Sequence, residues 1–212
     1  MRRNAILCEN SLLVSLDRLF HLNLVGDNLR HDAALDINQC TLSAANAFFD
    51  VYPSSLAGLK VEPLRFFVSR TVFAPGVNTV SGEPVNPVLL IYPENALSRR
   101  EITWWGNANG YADELTVFLR SQRTTQAAIQ KIETNWLGVW EVERISRPLF
   151  GTGRVRLNKD LPDPLKLSAA SFRLDEACDA ARWTEDGKPL GADLSVLSRQ
   201  INPSAGVGSE SN

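Results

Sequence analysis

The stretch DAALDINQCTLSAANAFFD, Asp32 to Asp50, sets the architecture expected for the N-terminal quarter of the chain. Its Ala33, Ile37, Cys40, Ala44, Ala47 and Phe48 recur mostly at three- and four-residue steps. That spacing lines one side of a helix, and Pro53 ends it. Upstream, Ala5 to Leu24 has the same character. Leu12, Leu13, Leu16, Leu19 and Phe20 form one face, and Gly26 is a natural stop. Two helices joined by a short link predict a helical hairpin.

Downstream the period changes. Leu64, Phe66, Val68 and Val72 alternate with Arg65, Ser69 and Thr71, the pattern of a half-buried strand that Pro75 and Gly76 break. Val88 to Tyr92 and Glu101 to Trp105 are two further strand candidates. Asn107 to Gly110 reads as a turn across which Leu115 to Leu119 pairs back. Thr125 to Glu143 reads as a helix, with Ile129, Ile132, Trp136, Val139 and Trp140 on one stripe. Gly153 to Leu157 reads as a strand. Ser168 to Trp183 is a last helix, with Leu174, Ala177, Cys178 and Ala181 inward.

The sum is an α+β fold: an N-terminal helical hairpin, a central mostly antiparallel sheet, and packing helices in the C-terminal half. Residues 1–201 are expected to form one globular domain, divisible into a helical lobe over 1–53 and an α+β lobe over 60–201. The Ser-, Gly- and Asn-rich residues 202–212 are expected to be a flexible tail. No internal repeat is read from the sequence.

Composition bounds the function. Of 212 residues, 44% are hydrophobic and 22% charged, as in globular chains rather than disordered or fibrous ones. The formal net charge is −2. Lys60 to Asp160 carries 13 basic and 10 acidic residues, so the middle is mildly basic. A dedicated nucleic-acid binder has a stronger footprint. Three cysteines do not make a disulfide framework and fit a reducing, cytoplasmic setting. Interruptions at Glu9, Asn10 and Asp17 argue against a signal peptide, and no apolar run is long enough for a membrane span.

Chemistry-bearing motifs are sparse. Cys8, His21, His31 and Cys40 are a legal zinc set by residue type. Their spacing of about ten residues lacks the close pairs that one turn supplies, so no metal is expected. No nucleophile elbow is present, and the adjacent carboxylates Asp113-Glu114, Asp175-Glu176 and Glu185-Asp186 splay to different faces. Gly151-Thr152-Gly153-Arg154 could form an anion nest, but a strand rather than a helix is expected to follow it, as in a β-turn beside a basic edge. No catalytic residue and no cofactor is assigned, and the chain reads away from an enzyme.

Aromatic and basic residues interleave in the middle. In a strand, Trp104 and Trp105 point to opposite faces, so one leaves the core unless both faces are covered. An exposed indole with arginines nearby is the usual anchor of an interface. The first expectation is therefore a non-catalytic interaction or assembly subunit whose partner is another protein. Its surfaces would be the Trp104–Gly110 hairpin and the amphipathic helix around Trp136. The alternative is a nucleic-acid binder. The contact residues for either are Arg99, Arg100, Trp104, Trp105, Arg120, Arg123, Arg154 and Arg156.

Overall fold

The computed structural model describes residues 4–23, 33–52, 63–76, 85–122, 130–131, 133–151, 153–157, 168–183 and 188–196. Its first half is a repeat of three strands. Coil 1 holds β1 (Asn4–Glu9), β2 (Leu12–Ser15) and β3 (Arg18–Asn23). Coil 2 holds β4 (Ala33–Asn38), β5 (Thr41–Ala44) and β6 (Ala47–Tyr52). Coil 3 holds β7 (Leu64–Ser69), β8 (Val72–Pro75) and β9 (Val88–Tyr92). Coil 4 holds β10 (Ile102–Asn107), β11 (Gly110–Tyr111) and β12 (Val117–Ser121).

Like strands pair in parallel, giving three sheets in the orders β1-β4-β7-β10, β2-β5-β8-β11 and β3-β6-β9-β12. The chain is a parallel β-solenoid. Asn4, Ala33, Leu64 and Ile102 share one register position, so successive coils take 29, 31 and 38 residues.

The corner between the first and second sheets explains why this sequence turns where it does. One residue per coil has a positive φ there: Asn10 (41°), Gln39 (53°), Arg70 (51°) and Ala108 (51°). A single left-handed residue turns the chain between two strands without breaking the ladder. Gln39 N–H donates to the Ser69 carbonyl at 2.9 Å and Val72 N–H to the Cys40 carbonyl at 2.9 Å, so rungs continue through the turn. At the next corner Gly76 lies so close to the Ala44 backbone that a Cβ would sit 2.6 Å from its carbonyl carbon.

Inside, like positions stack. Phe20 lies on Phe49 at 5.4 Å, Phe66 on Trp104 at 5.5 Å and Phe73 on Tyr111 at 5.1 Å between ring centroids. The core is thus a set of apolar columns along the solenoid axis.

The chain then closes the coil 4 end. β13 (Gln130–Lys131) pairs antiparallel with β12, and α1 (Glu133–Val139) and α2 (Glu141–Ile145) follow. Trp136, fully buried, packs edge-on against Trp104 at 4.7 Å. Leu149 extends the first corner beyond coil 4, accepting from Tyr111 N–H and donating to the Asn109 carbonyl. A 3-10 turn (Ala169–Phe172) and α3 (Asp179–Arg182) come next. The last described segment runs back along that corner. Gly191 N–H donates to the Arg70 carbonyl at 2.9 Å, Ala192 N–H to Thr41 Oγ1 at 3.0 Å, and Asp193 N–H to Asn10 Oδ1 at 2.6 Å. It straps coils 3, 2 and 1 in that order.

This architecture overturns the expected α+β fold. The two N-terminal helices are coils 1 and 2, and the central sheet is parallel rather than antiparallel. The physical reason is the corner. Each corner inserts an extra residue between inward positions, so Ile37, Cys40 and Ala44 fall three and four apart, as on a helix. β12 pairs with β9 one coil below, not across the turn at Asn107 to Gly110. Within Gly153 to Leu157 the pairing is one bridge, Leu157 to Leu174, and within Ser168 to Trp183 the helical pieces are two four-residue turns. The repeat missed in the sequence is the fold itself. Residues 202–212, His31, Ile129, Ile132 and Arg123 lie outside the described residues.

Candidate binding face

The outer face of the first sheet carries three columns. Ala5, Ala34, Arg65 and Thr103 form one; Leu7, Asp36, Phe67 and Trp105 the second; Glu9, Asn38, Ser69 and Asn107 the third. Strand pleating places them, because residues two apart share a face and parallel register aligns coil with coil. Trp104 therefore points inward and is 2% exposed, while Trp105 points outward and is 50% exposed. Phe67, 38% exposed, stacks beneath Trp105 with centroids 6.5 Å apart and planes 18° apart. Beside this pair, Ser69 Oγ donates to Asn38 Oδ1 at 2.9 Å. The result is a face of aligned columns in which an aromatic pair on coils 3 and 4 is flanked by polar residues.

The arginines are distributed elsewhere. Arg99 and Arg100 are exposed in the connection from β9 to β10, with Arg99 3.8 Å from Glu101. Arg120 is half-buried on β12, beside Ile91 of the third sheet. Arg154 lies 3.7 Å from Asp179, and Arg156 holds Asp175 through Nε at 2.9 Å and Nη2 at 2.5 Å. The Ala177 N–H, and then the Arg156 contact, keep the Asp175 carboxyl below its usual range. Thus Arg99 and Arg100 stand at one corner of the coil, while Arg154 stands near another, through Ala180 and Leu190. The Gly-rich turn does form, with φ of 94° at Gly151 and 78° at Gly153, but Gly153 N–H donates to Asp113 Oδ2 at 2.5 Å. The anion in that turn is the chain's own carboxylate.

The residue that sequence reasoning missed is Glu143. It is fully buried above coil 4, where Oε2 accepts from Trp104 Nε1 at 2.8 Å. Oε1 accepts from the Tyr111 hydroxyl at 2.8 Å and from Asn109 Nδ2 at 3.3 Å. Burial pushes its carboxyl above the usual range, against the pull of those three donors. Burial and the adjacent carboxylate drive the Tyr111 phenol well above its ordinary value. Gly106 makes the space, since a Cβ there would lie 1.0 Å from Glu143 Oε2. A glycine in a column otherwise filled by Cys8, Ile37 and Val68 is the one sequence signal that could have pointed to it. With no exposure, this constellation works as a plug.

Among the described residues no cluster of metal-ligating side chains occurs. Cys40 Sγ donates to the Cys8 and Asn38 carbonyls, and burial raises its thiol pKa to about 11. His21 lies tilted against Tyr52 at 4.3 Å within the third sheet, away from Cys8 and Cys40. A half-open groove of about 350 Å³ lies beside the strap, lined in part by Phe172, Arg173, Glu176, Leu190 and Ser195. No helix among the described residues is long and apolar enough to cross a membrane. Comparison with protein-family patterns, curated proteins and solved structures finds no match for this chain.

Proposed function

We propose that this chain is a non-catalytic interaction module that binds another protein through the outer face of its first sheet, centred on Phe67 and Trp105. The observation that carries the reading is the stacked, exposed aromatic pair on a fixed backbone. Tryptophan on a pre-ordered surface loses little entropy on binding and is the residue type most enriched at interface centres. Trp104, Trp136 and Trp140 are all buried in the core or cap, so they are spent on the fold. A catalytic role gains no support from Glu143, which lies out of reach of solvent.

The test compares capture by the immobilised full chain with capture by a Phe67→Ser, Trp105→Ser double variant, followed by binding of the recovered protein in purified form. A partner retained by the first and lost by the second supports the reading. Equal capture sinks it. Quenching of tryptophan fluorescence by a short oligonucleotide, relieved by salt, would instead favour nucleic acid. The carboxylates beside Arg99, Arg154 and Arg156 weaken the field that such a partner requires.

A further inference from the structure

Resting on that reading and deepening it, we infer that the outer face of the first sheet recognises its protein partner by an arginine side chain, seated on the Phe67–Trp105 pair and held by the Asp36 carboxylate. Parallel register places Asp36, Phe67 and Trp105 in one outward column on coils 2, 3 and 4. Rungs are about 4.8 Å apart, so Asp36 stands one rung from Phe67 and two from Trp105. On its coil 4 side Phe67 stacks on Trp105. On its coil 2 side the column continues with an exposed carboxylate instead of a ring. Among the described residues, Asp36 makes no hydrogen bond or ion pair. Exposed aromatic surface is thus set beside a negative charge that the chain itself leaves unneutralised.

Three features select an arginine. Ring faces are electron-rich, so a cation over Phe67 or Trp105 is attracted by the ring and by Asp36 together. The charge left free on this face is acidic. Glu9 stands exposed in the adjoining column on coil 1, while Arg65 has a partner of its own. A guanidinium is also planar and weakly hydrated. It lies flat on a ring while its edge N–H groups stay free to donate to a carboxylate one rung away, a shape that a compact ammonium lacks. The same two carboxylates repel a phosphate backbone, which sets this site against nucleic acid.

The experiment titrates the full chain into dye-labelled short peptides of one frame and follows their fluorescence anisotropy. The peptides carry arginine, its neutral isostere citrulline, or lysine. The arginine peptide should bind about tenfold tighter than the citrulline peptide, with lysine between them. Asp36→Asn, at an exposed position, should cut that preference to about threefold or less with an unchanged circular dichroism spectrum. If Asp36→Asn disturbs the spectrum, Asp36→Ser decides. Phe67→Leu with Trp105→Leu, which keeps an apolar cover and removes the rings, should abolish the preference. Equal binding of arginine and citrulline peptides overturns the inference. So does the absence of binding at millimolar concentration, or a preference that survives the loss of Asp36. Failure here is distinguishable from failure of the binding face. A captured protein lost by Phe67→Ser with Trp105→Ser yet held equally by Asp36→Asn removes the arginine and leaves the face. Capture indifferent to both removes the face, and the arginine with it.

Discussion

Coil 1 and coil 4 are built from equivalent strands, yet their inward residues meet different fates. In coil 4, Trp104 gives its indole N–H to Glu143 and packs on Trp136, and Tyr111 stacks on Phe150 at 4.6 Å. In coil 1 the matching Ile6 and Leu13 have nothing stacked above them among the described residues. A solenoid coil is thus buried by its neighbours rather than by its own sequence. Ending the stack also demands chemistry a further coil does not. Asn109 Oδ1 accepts from Thr71 N–H, its Nδ2 donates to the Val68 carbonyl, and Asn109, Trp104 and Tyr111 converge on one carboxylate.

The largest way to break this contrast is Gly106→Ala. The new methyl must displace Glu143, stranding the Trp104 and Tyr111 donors in the core. A loss of about 3–5 kcal/mol is expected, read from the urea midpoint. Gly138→Ala is the control, since nothing lies within 4 Å of its Cβ position in α1. That change should be neutral or stabilise by about 0.5 kcal/mol. If the two alanines behave alike, the plug is not what holds the cap.

The next comparison sets Phe49 against Phe20, stacked neighbours in one column. Phe49→Ala empties a fully buried site and should cost about 3–5 kcal/mol. Phe20→Ala, half-buried in coil 1, should cost about half as much. Equal costs would mean that Phe20 is buried as deeply as Phe49 in solution.

A smaller effect is electrostatic. The Glu143 carboxyl has a folded pKa above its unfolded one, so the folded state holds a proton that the unfolded state has released. Its contribution is fully present below the unfolded value and is lost as pH rises through the folded value. Stability should therefore increase as pH falls through the folded value toward the unfolded one, and Glu143→Gln should abolish that increase. Asp175, held low, acts in the opposite sense at more acidic pH, so the difference between wild type and variant is the quantity to read. An identical pH profile for both would remove Glu143 from the account.

Local strands were legible where nothing interrupted the alternation, as in Leu64 to Ser69, Val88 to Tyr92 and Ile102 to Trp105. Coils 1 and 2 were not, because short strands and one-residue corners place apolar residues three and four apart. Asn10, Gln39, Arg70 and Ala108 share a backbone conformation but no chemistry, so no residue type marks the repeat. Strand direction is a long-range property, set by pairing with a coil some 30 residues away. The Glu143 plug was illegible for the same reason, since Trp104, Asn109 and Tyr111 approach it only through the stack and the cap.

The smallest expected change in stability tests the most local inference. Trp104 and Trp105 are adjacent in sequence and opposite in role. Trp104→Ser would empty the core beneath Trp136 and orphan a Glu143 oxygen, with a loss of about 4 kcal/mol. Trp105→Ser removes only an outward ring stacked on Phe67, worth about 1 kcal/mol or less. Urea unfolding of the two variants measures the difference. A near-neutral Trp105→Ser means that the fold does not require this large exposed indole, which leaves it available to a partner. A loss as large as that of Trp104→Ser would mean the ring is structural, and the outer face of the first sheet would lose its claim to be the binding site.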